Sequence, residues 1–373
     1  MNQYSRSPIY GLDLVRFISA MLVLGWHLAY RFFDPFATYI RSFTSGIPAQ
    51  YQAIQEFTRW GWVGVEIFFV VSGLVIAYSA QNGGSAWKFF LGRLGRLLPG
   101  VFVCALIVLV IDIAIWNMPL VRTVQQFAKT IFFWPMGDWI VPQFWTLPIE
   151  IAFYGVVWLM IFNGFSHHLD RLAVGLCVWS AVYWAAVSFR LWHVTWLDNL
   201  LLLQQGFYFA VGISLASIDR AGASPARIAV LLCGILLGPI EIAFAVHKYN
   251  VYSAETPMAW IFPYAIWFAF VACIALSLYW KRELGNFVMR GRGRFGAALR
   301  ILGLATFPLY LIHIHVGGLV ISLLTSARVP PIPATVIGIL ACIPVAMAVA
   351  AWCEPPLRKL LLRPFLPAVQ RGG

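Results

Sequence analysis

Apolar residues do not alternate with polar ones along this chain; they come in long blocks. Uncharged or nearly uncharged stretches recur at about 11–33, 61–80, 97–117, 143–162, 170–189, 198–218, 227–246, 257–280, 299–324 and 333–353. A helix rises 1.5 Å per residue, so about twenty such residues cross a hydrocarbon core ~30 Å thick. The pattern predicts an all-α polytopic membrane protein with about ten transmembrane helices. No internal repeat or low-complexity tract interrupts it, so residues 1–373 read as a single membrane-embedded domain with no appended soluble domain.

Composition supports that reading. The 373 residues are 61% hydrophobic and 11% charged, with a mean hydropathy of +0.81, whereas soluble domains are about 25% charged. The short basic N-terminus has no small-residue cleavage site before Asp13, so no removable signal peptide is expected. Six cysteines lie in or beside apolar runs without CxxC or Cys/His spacing, which predicts neither metal nor a disulfide framework. The net charge of +12 could invite a nucleic acid, but in a bilayer protein basic residues set topology, so no nucleic-acid partner is expected. An even number of spans puts both termini on one side. With the N-terminus inside, 17 Lys and Arg face inward and 8 outward, which predicts cytoplasmic termini. The connection 118–142 carries Trp134, Pro135, Trp139 and Pro142, an aromatic rim suited to the interface, and 34–60 is the other long outer connection. The basic inner connection 281–298 reads as an anchor near anionic lipid.

Ionisable residues inside the spans are costly, so each is a functional candidate. The first span holds Asp13, Arg16 and His27. At about 100° per residue, Arg16 and His27 fall on nearly one face, roughly 16 Å apart along the axis, and Asp13 lies one turn before Arg16. The predicted topology puts His27, Glu66 and Glu150 in the outer half of the membrane, where an imidazole and two carboxylates could converge. A histidine oriented by a carboxylate is a general base for a hydroxyl; a buried His–Glu bridge that only fixes packing is the alternative. Glu241 also falls in the outer half, and His313 and His315 lie somewhat beyond mid-membrane. Asp112 and Glu241 stand alone in their helices and read as packing or cavity-lining residues, while His167 and His168 read as solvated loop residues. On the cytoplasmic side, Arg93 and Arg96 lie three apart on one helix face, on Arg16's side of the membrane. Arginine forks suit phosphate oxygens; a topology anchor is the alternative.

At these residues the chain resembles the acyltransferase 3 family, over nearly its whole length. Asp13-x-x-Arg16 with His27 is similar to the family's first-helix signature, and "GVEIFFVVSGL", with Glu66, Phe68, Phe69, Ser72 and Gly73, to its second-helix block. Arg93-x-x-Arg96-x-x-Pro99 resembles the basic motif before the third span. Trp145, Leu147, Glu150, Phe153 and Tyr154 match the fourth, and "FPLYLIH" (Tyr310, Leu311, His313) and "EPPLRK" (Glu354, Pro355) agree as well. Ile151 stands where many members have a second acid, and Leu74 where Phe is frequent. The resemblance implies transfer of an acyl group, usually acetyl from acetyl-CoA, to a hydroxyl of an envelope or exported glycan or glycolipid, in the cell inner membrane. It implies His27 as general base oriented by Glu66 or Glu150, and Arg16, Arg93 and Arg96 on the CoA phosphates. Asp13, Ser72, Trp145, Tyr310 and His313 are further site candidates. A succinyl donor or a transporter are the alternatives, and the acceptor stays open among polysaccharide, oligosaccharide, lipid-linked sugar and small molecule.

Overall fold

The computed structural model describes residues 9–33, 57–81, 84–249, 258–290 and 294–365. Most of the 34–60 connection, and residues 291–293 of the basic inner run, lie outside the described residues. In chain order the helices are α1 (Tyr10–Gly25), α2 (Gly64–Ala80), α3 (Ala86–Ala114), α4 (Leu120–Ile131), α5 (Thr146–Phe162), α6 (Leu169–Ser188), α7 (Trp196–Leu200), α8 (Gly206–Ala221), α9 (Pro225–Tyr249), α10 (Met258–Tyr279), α11 (Lys281–Arg290), α12 (Arg294–Ser326), α13 (Pro331–Ala348) and α14 (Glu354–Leu362). No strand occurs among the described residues, and nine helices there are long and apolar enough to cross a membrane. Large apolar residues such as Val182, Leu236 and Leu340 are exposed on α6, α9 and α13, the surface expected of helices that face lipid rather than water.

The expected span at 198–218 is the exception. Thr195 and Asp198 form a capping box, which starts the short α7. Asp198 Oδ2 accepts from Thr195 N (2.6 Å), Tyr183 OH (3.2 Å) and Trp192 Nε1 (3.3 Å), so the carboxylate is spent as an anchor. Leu202 then takes a left-handed φ of 57°, which no helix continues. α8 restarts at Gly206, where Ser180 Oγ accepts the N–H of Phe207 at 3.1 Å. It has 16 residues, and every one from Gly206 to Ser217 is buried. A helix apolar all round belongs inside a bundle.

The described chain divides into two compact units. One gathers residues 9–23, 60–78, 167–249, 258–290 and 294–304; the other gathers 24–33, 57–59, 79–81, 84–166 and 305–365. In the first, α2 and α8 approach at glycines. A Cβ on Gly212 would meet the backbone of Val70, Gly73 and Leu74, and one on Gly73 would meet the backbone of Phe209. Gly73 thus belongs to packing. Gly212→Ala should cost about 1–3 kcal/mol through overpacking and lower the melting temperature in detergent; an unchanged melt would contradict this close approach. In the same unit Pro239 sits inside α9 and cannot donate to the carbonyl of Ile235. Trp267 Nε1 of α10 supplies that donor at 3.1 Å, passing over Gly238, where a Cβ would overlap its ring.

In the second unit α4 turns its two threonines inward: Thr123 and Thr130 are buried while Leu120, Val121 and Val124 are exposed. Thr130 Oγ1 accepts from Ile140 N at 3.0 Å and so fixes the following loop. In that loop Asp138 accepts from Gln126 Nε2 at 2.7 Å and faces Arg122 Nη2 at 3.5 Å. These partners, Gln126 first, hold its carboxyl below the usual carboxylate range.

Candidate active site

His27 does not sit in regular α-helix. After Gly25 the first span continues as a π turn, Trp26–Tyr30, in which Arg31 N–H donates to Trp26 O. A π turn holds one more residue than an α turn and re-aims the side chains that follow. The regular 100° step from Arg16 thus holds through Gly25, and His27 is the second residue of the π turn. His27 is buried, with the edge of Trp26 4.5 Å away centroid to centroid.

Its Nδ1 faces a second imidazole. His27 Nδ1 and His313 Nε2 are 2.9 Å apart, and His313 Nδ1 lies 2.8 Å from Tyr310 O and 3.2 Å from Leu309 O, one turn back in α12. These contacts dictate the tautomers. A carbonyl oxygen only accepts, so His313 carries its proton on Nδ1; the neutral ring then has its lone pair on Nε2, which accepts Nδ1–H of His27. His27 is left with its lone pair on Nε2. That is the state of a general base, and a backbone carbonyl sets it through two rings.

The helix that carries His313 is itself tied down. Tyr310 OH donates to Gln143 O at 3.0 Å, Thr146 Oγ1 lies 3.4 Å from the same hydroxyl, and Gln143 Nε2 donates to Leu311 O at 3.1 Å. Gln143 and Thr146 flank the half-buried Trp145 at the entry to α5. Tyr310 therefore holds α12 against this turn. Glu150, one turn further on, is half-buried and makes no side-chain hydrogen bond to any described residue. The structure sets an imidazole, His313, against Nδ1 of His27, whereas the sequence leads to a carboxylate, Glu66 or Glu150, as the group that orients the ring.

Carboxylates do pair, but elsewhere. His315 Nε2 lies 3.2 Å from Asp112 Oδ1, with both side chains buried and the ring of Trp116 4.9 Å from that of His315. Asp112, read from sequence as solitary, thus has an imidazole partner. Glu66 belongs to the first unit, where it is buried within electrostatic reach of Glu241, and Tyr208 OH donates to Glu241 Oε2 at 2.8 Å. Ser72 is buried in the same unit, and Asp13 packs on Gly303, where a Cβ would stand 2.6 Å from its carboxyl carbon. Arg16 is half-buried there.

Arg93 and Arg96 lie in the second unit. Arg93 stacks 5.7 Å over Phe89 and 6.0 Å over Tyr154, and its Nη2 donates to Ser79 Oγ at 3.3 Å. Arg96 lies 5.8 Å over the ring of Phe307. Aromatic faces thus hold two guanidiniums while leaving most of their donors unspent. Among the described residues no group of three or more His, Cys, Asp or Glu could hold a metal ion, and all six cysteines are free thiols.

Sequence comparisons bear on this arrangement. A model of the acyltransferase 3 family, described as an acyltransferase domain, matches residues 9–351. The chain is 22% identical over 209 residues to a peptidoglycan O-acetyltransferase, OatA, of Listeria monocytogenes; the match covers 48% of this chain and 29% of that protein. It is 26% identical over 305 residues to the acyltransferase MdmB of Streptomyces mycarofaciens, covering 71% of this chain and 70% of the other. No solved structure matches it significantly.

Proposed function

This chain belongs to the acyltransferase 3 family, and on that premise we propose that it moves an acyl group, acetyl in the first instance, from cytoplasmic acyl-CoA to a hydroxyl of an exported glycan. The observation that carries this reading is the hydrogen-bonded run from Tyr310 O through His313 to His27, because it prepares one imidazole as a base. His27 Nε2 takes the proton of the acceptor hydroxyl as its oxygen attacks the thioester carbonyl carbon. The new O–C bond forms, the C–S bond breaks, and the proton passes from His27 to the departing CoA sulfur. His27 ends as it began. A positioned base supplies about 10²–10⁴-fold, and alignment of thioester and hydroxyl supplies much of the rest.

Arg93 and Arg96 hold the CoA phosphates on the cytoplasmic side, and Arg16 stays a donor-binding candidate from its own unit. Both termini face the cytoplasm, a reading that the excess of inner over outer basic residues supports, and the inner membrane is the site of action. α7 and α8 together then make a broken tenth pass. A glycan acceptor is supported by the peptidoglycan-modifying relative, and family membership favours transfer over transport. Mass analysis of envelope glycans should show one class of acyl ester in the parent strain and none in a deletion strain. Identical glycans would remove the acceptor assignment, and a succinyl mass in place of acetyl would change the donor.

The arginines give a separate expectation. Arg93→Lys and Arg96→Lys keep the charge but lose the planar fork. Each should raise the KM for acyl-CoA about tenfold while kcat at saturating donor changes less. Donor titration measures this, and unchanged KM in both variants would return these residues to topology anchors.

A further inference from the structure

The closing helix α14 lies directly on the segment of α3 that carries Arg93 and Arg96, and two glycines admit it. A Cβ on Gly100 would stand 2.7 Å from Glu354 Oε1, and one on Gly95 would stand 3.1 Å from Arg358 Nε and 2.7 Å from Leu362. Glu354 meets α3 at the later glycine and Arg358 at the earlier one, so the two helices run antiparallel. A π turn, Val349–Cys353, precedes α14, and Pro355 and Pro356 in its first turn have no N–H to continue an α ladder backwards.

The chemistry of this contact is unbalanced. Arg96 and Arg358 lie within electrostatic reach of Glu354. Yet neither guanidinium makes a hydrogen bond to it or to any other described residue. Glu354 Oε1 and Arg93 Nε are buried, each without a hydrogen-bond partner among the described residues. Packing on Phe307 and Gly95 positions the cations and leaves their donor forks available. Two guanidiniums, Arg96 and Arg358, surround one carboxylate, with Arg93 one turn earlier on α3, and the excess of positive charge favours a multiply charged anion.

We propose that Arg358 is a third anion-binding guanidinium, which completes with Arg93 and Arg96 a site for the phosphates of the acyl-CoA donor, and that Glu354 is its internal counter-charge. The proposal rests on the donor reading given above and extends it to a helix outside the arginine motif. An anion arriving at the site engages the unspent forks and meets one opposing carboxylate, so Glu354 weakens binding and limits the site to ligands with several negative charges.

The test is CoA binding by the full-length protein in nanodiscs of phosphatidylcholine, read by isothermal titration. Arg358→Ala should weaken CoA about tenfold, the scale of one charge-assisted contact. Arg358→Lys should fall between, and it keeps the test open if the alanine variant does not fold. Glu354→Gln should tighten CoA a few-fold; weakening would overturn the counter-charge role. If Arg93→Ala and Arg96→Ala weaken CoA while both Arg358 variants bind as wild type, this inference fails and the donor reading stands. If the Arg93 and Arg96 variants also bind CoA normally, the donor reading itself fails. A phosphate of lipid origin is the competing source. Arg358 variants that lose affinity for phosphatidylglycerol vesicles while binding CoA normally would make Arg358 a headgroup contact and overturn the proposal.

Discussion

His27→Ala should lower acyl transfer about 10²- to 10⁴-fold, the range general-base catalysis supplies, while the protein still inserts and melts near the wild-type temperature. The large effect follows from the geometry. His27 Nδ1 is committed to His313 at 2.9 Å, so the one lone pair of the ring is on Nε2, and alanine has none. The small structural effect follows from position. His27 lies in a π turn, which is already irregular, and the neighbouring buried Trp26, Leu28 and Ala29 keep their own packing. Transfer assays on membranes with matched expression check this. A well-inserted variant with near-normal transfer would sink the assignment of the base.

His313 gives the second large effect. His313→Phe fills the space but removes the acceptor for Nδ1–H of His27, so that ring no longer has one enforced tautomer. The expected loss is on the order of 10²-fold in kcat, with KM for donor and acceptor little changed because His313 acts through His27. His313→Gln offers an amide oxygen in the same direction and should recover part of the rate, which a purely space-filling role would not allow. Nitrogen NMR of the two histidines gives a reading independent of turnover. Wild type should show His27 protonated at Nδ1, and His313→Phe should show a mixture of tautomers. Equal losses in the Phe and Gln variants, with an unchanged His27 tautomer, would make His313 a packing residue.

Much of this was legible in the sequence. Long uncharged blocks specify membrane helices because an unpaired backbone is too costly in lipid, and nine of those blocks are helices of spanning length. The block at 198–218 misled because hydropathy averages over Asp198 and Leu202, whose capping to Thr195 and left-handed backbone break the helix. The S/T-x-x-D spacing at Thr195 was the available signal. His27 and His313 were both recognisable as candidates, but their pairing was not, since a contact across 286 residues leaves no local pattern. The same holds for Asp112 with His315 and for Tyr208 with Glu241, where only a shared depth in the membrane could have hinted at a partner. The π turn at Trp26–Tyr30 has no sequence signature at all. No proline or glycine pair marks it from within, so hydropathy alone reads the first span as uniform α-helix.

In the proposed reaction a cytoplasmic thioester meets an outer hydroxyl at His27. The most direct measurement uses the purified protein reconstituted in liposomes in one orientation, with unacylated envelope glycan from a deletion strain on the outer-facing side. Radiolabelled acetyl-CoA is supplied only on the side that holds the termini, and ester-linked label in the glycan is counted for wild type and His27→Ala. Label transferred across the membrane by wild type and lost in His27→Ala is the predicted result. Label that appears only when donor and glycan share the cytoplasmic side, or that persists in His27→Ala, would contradict it.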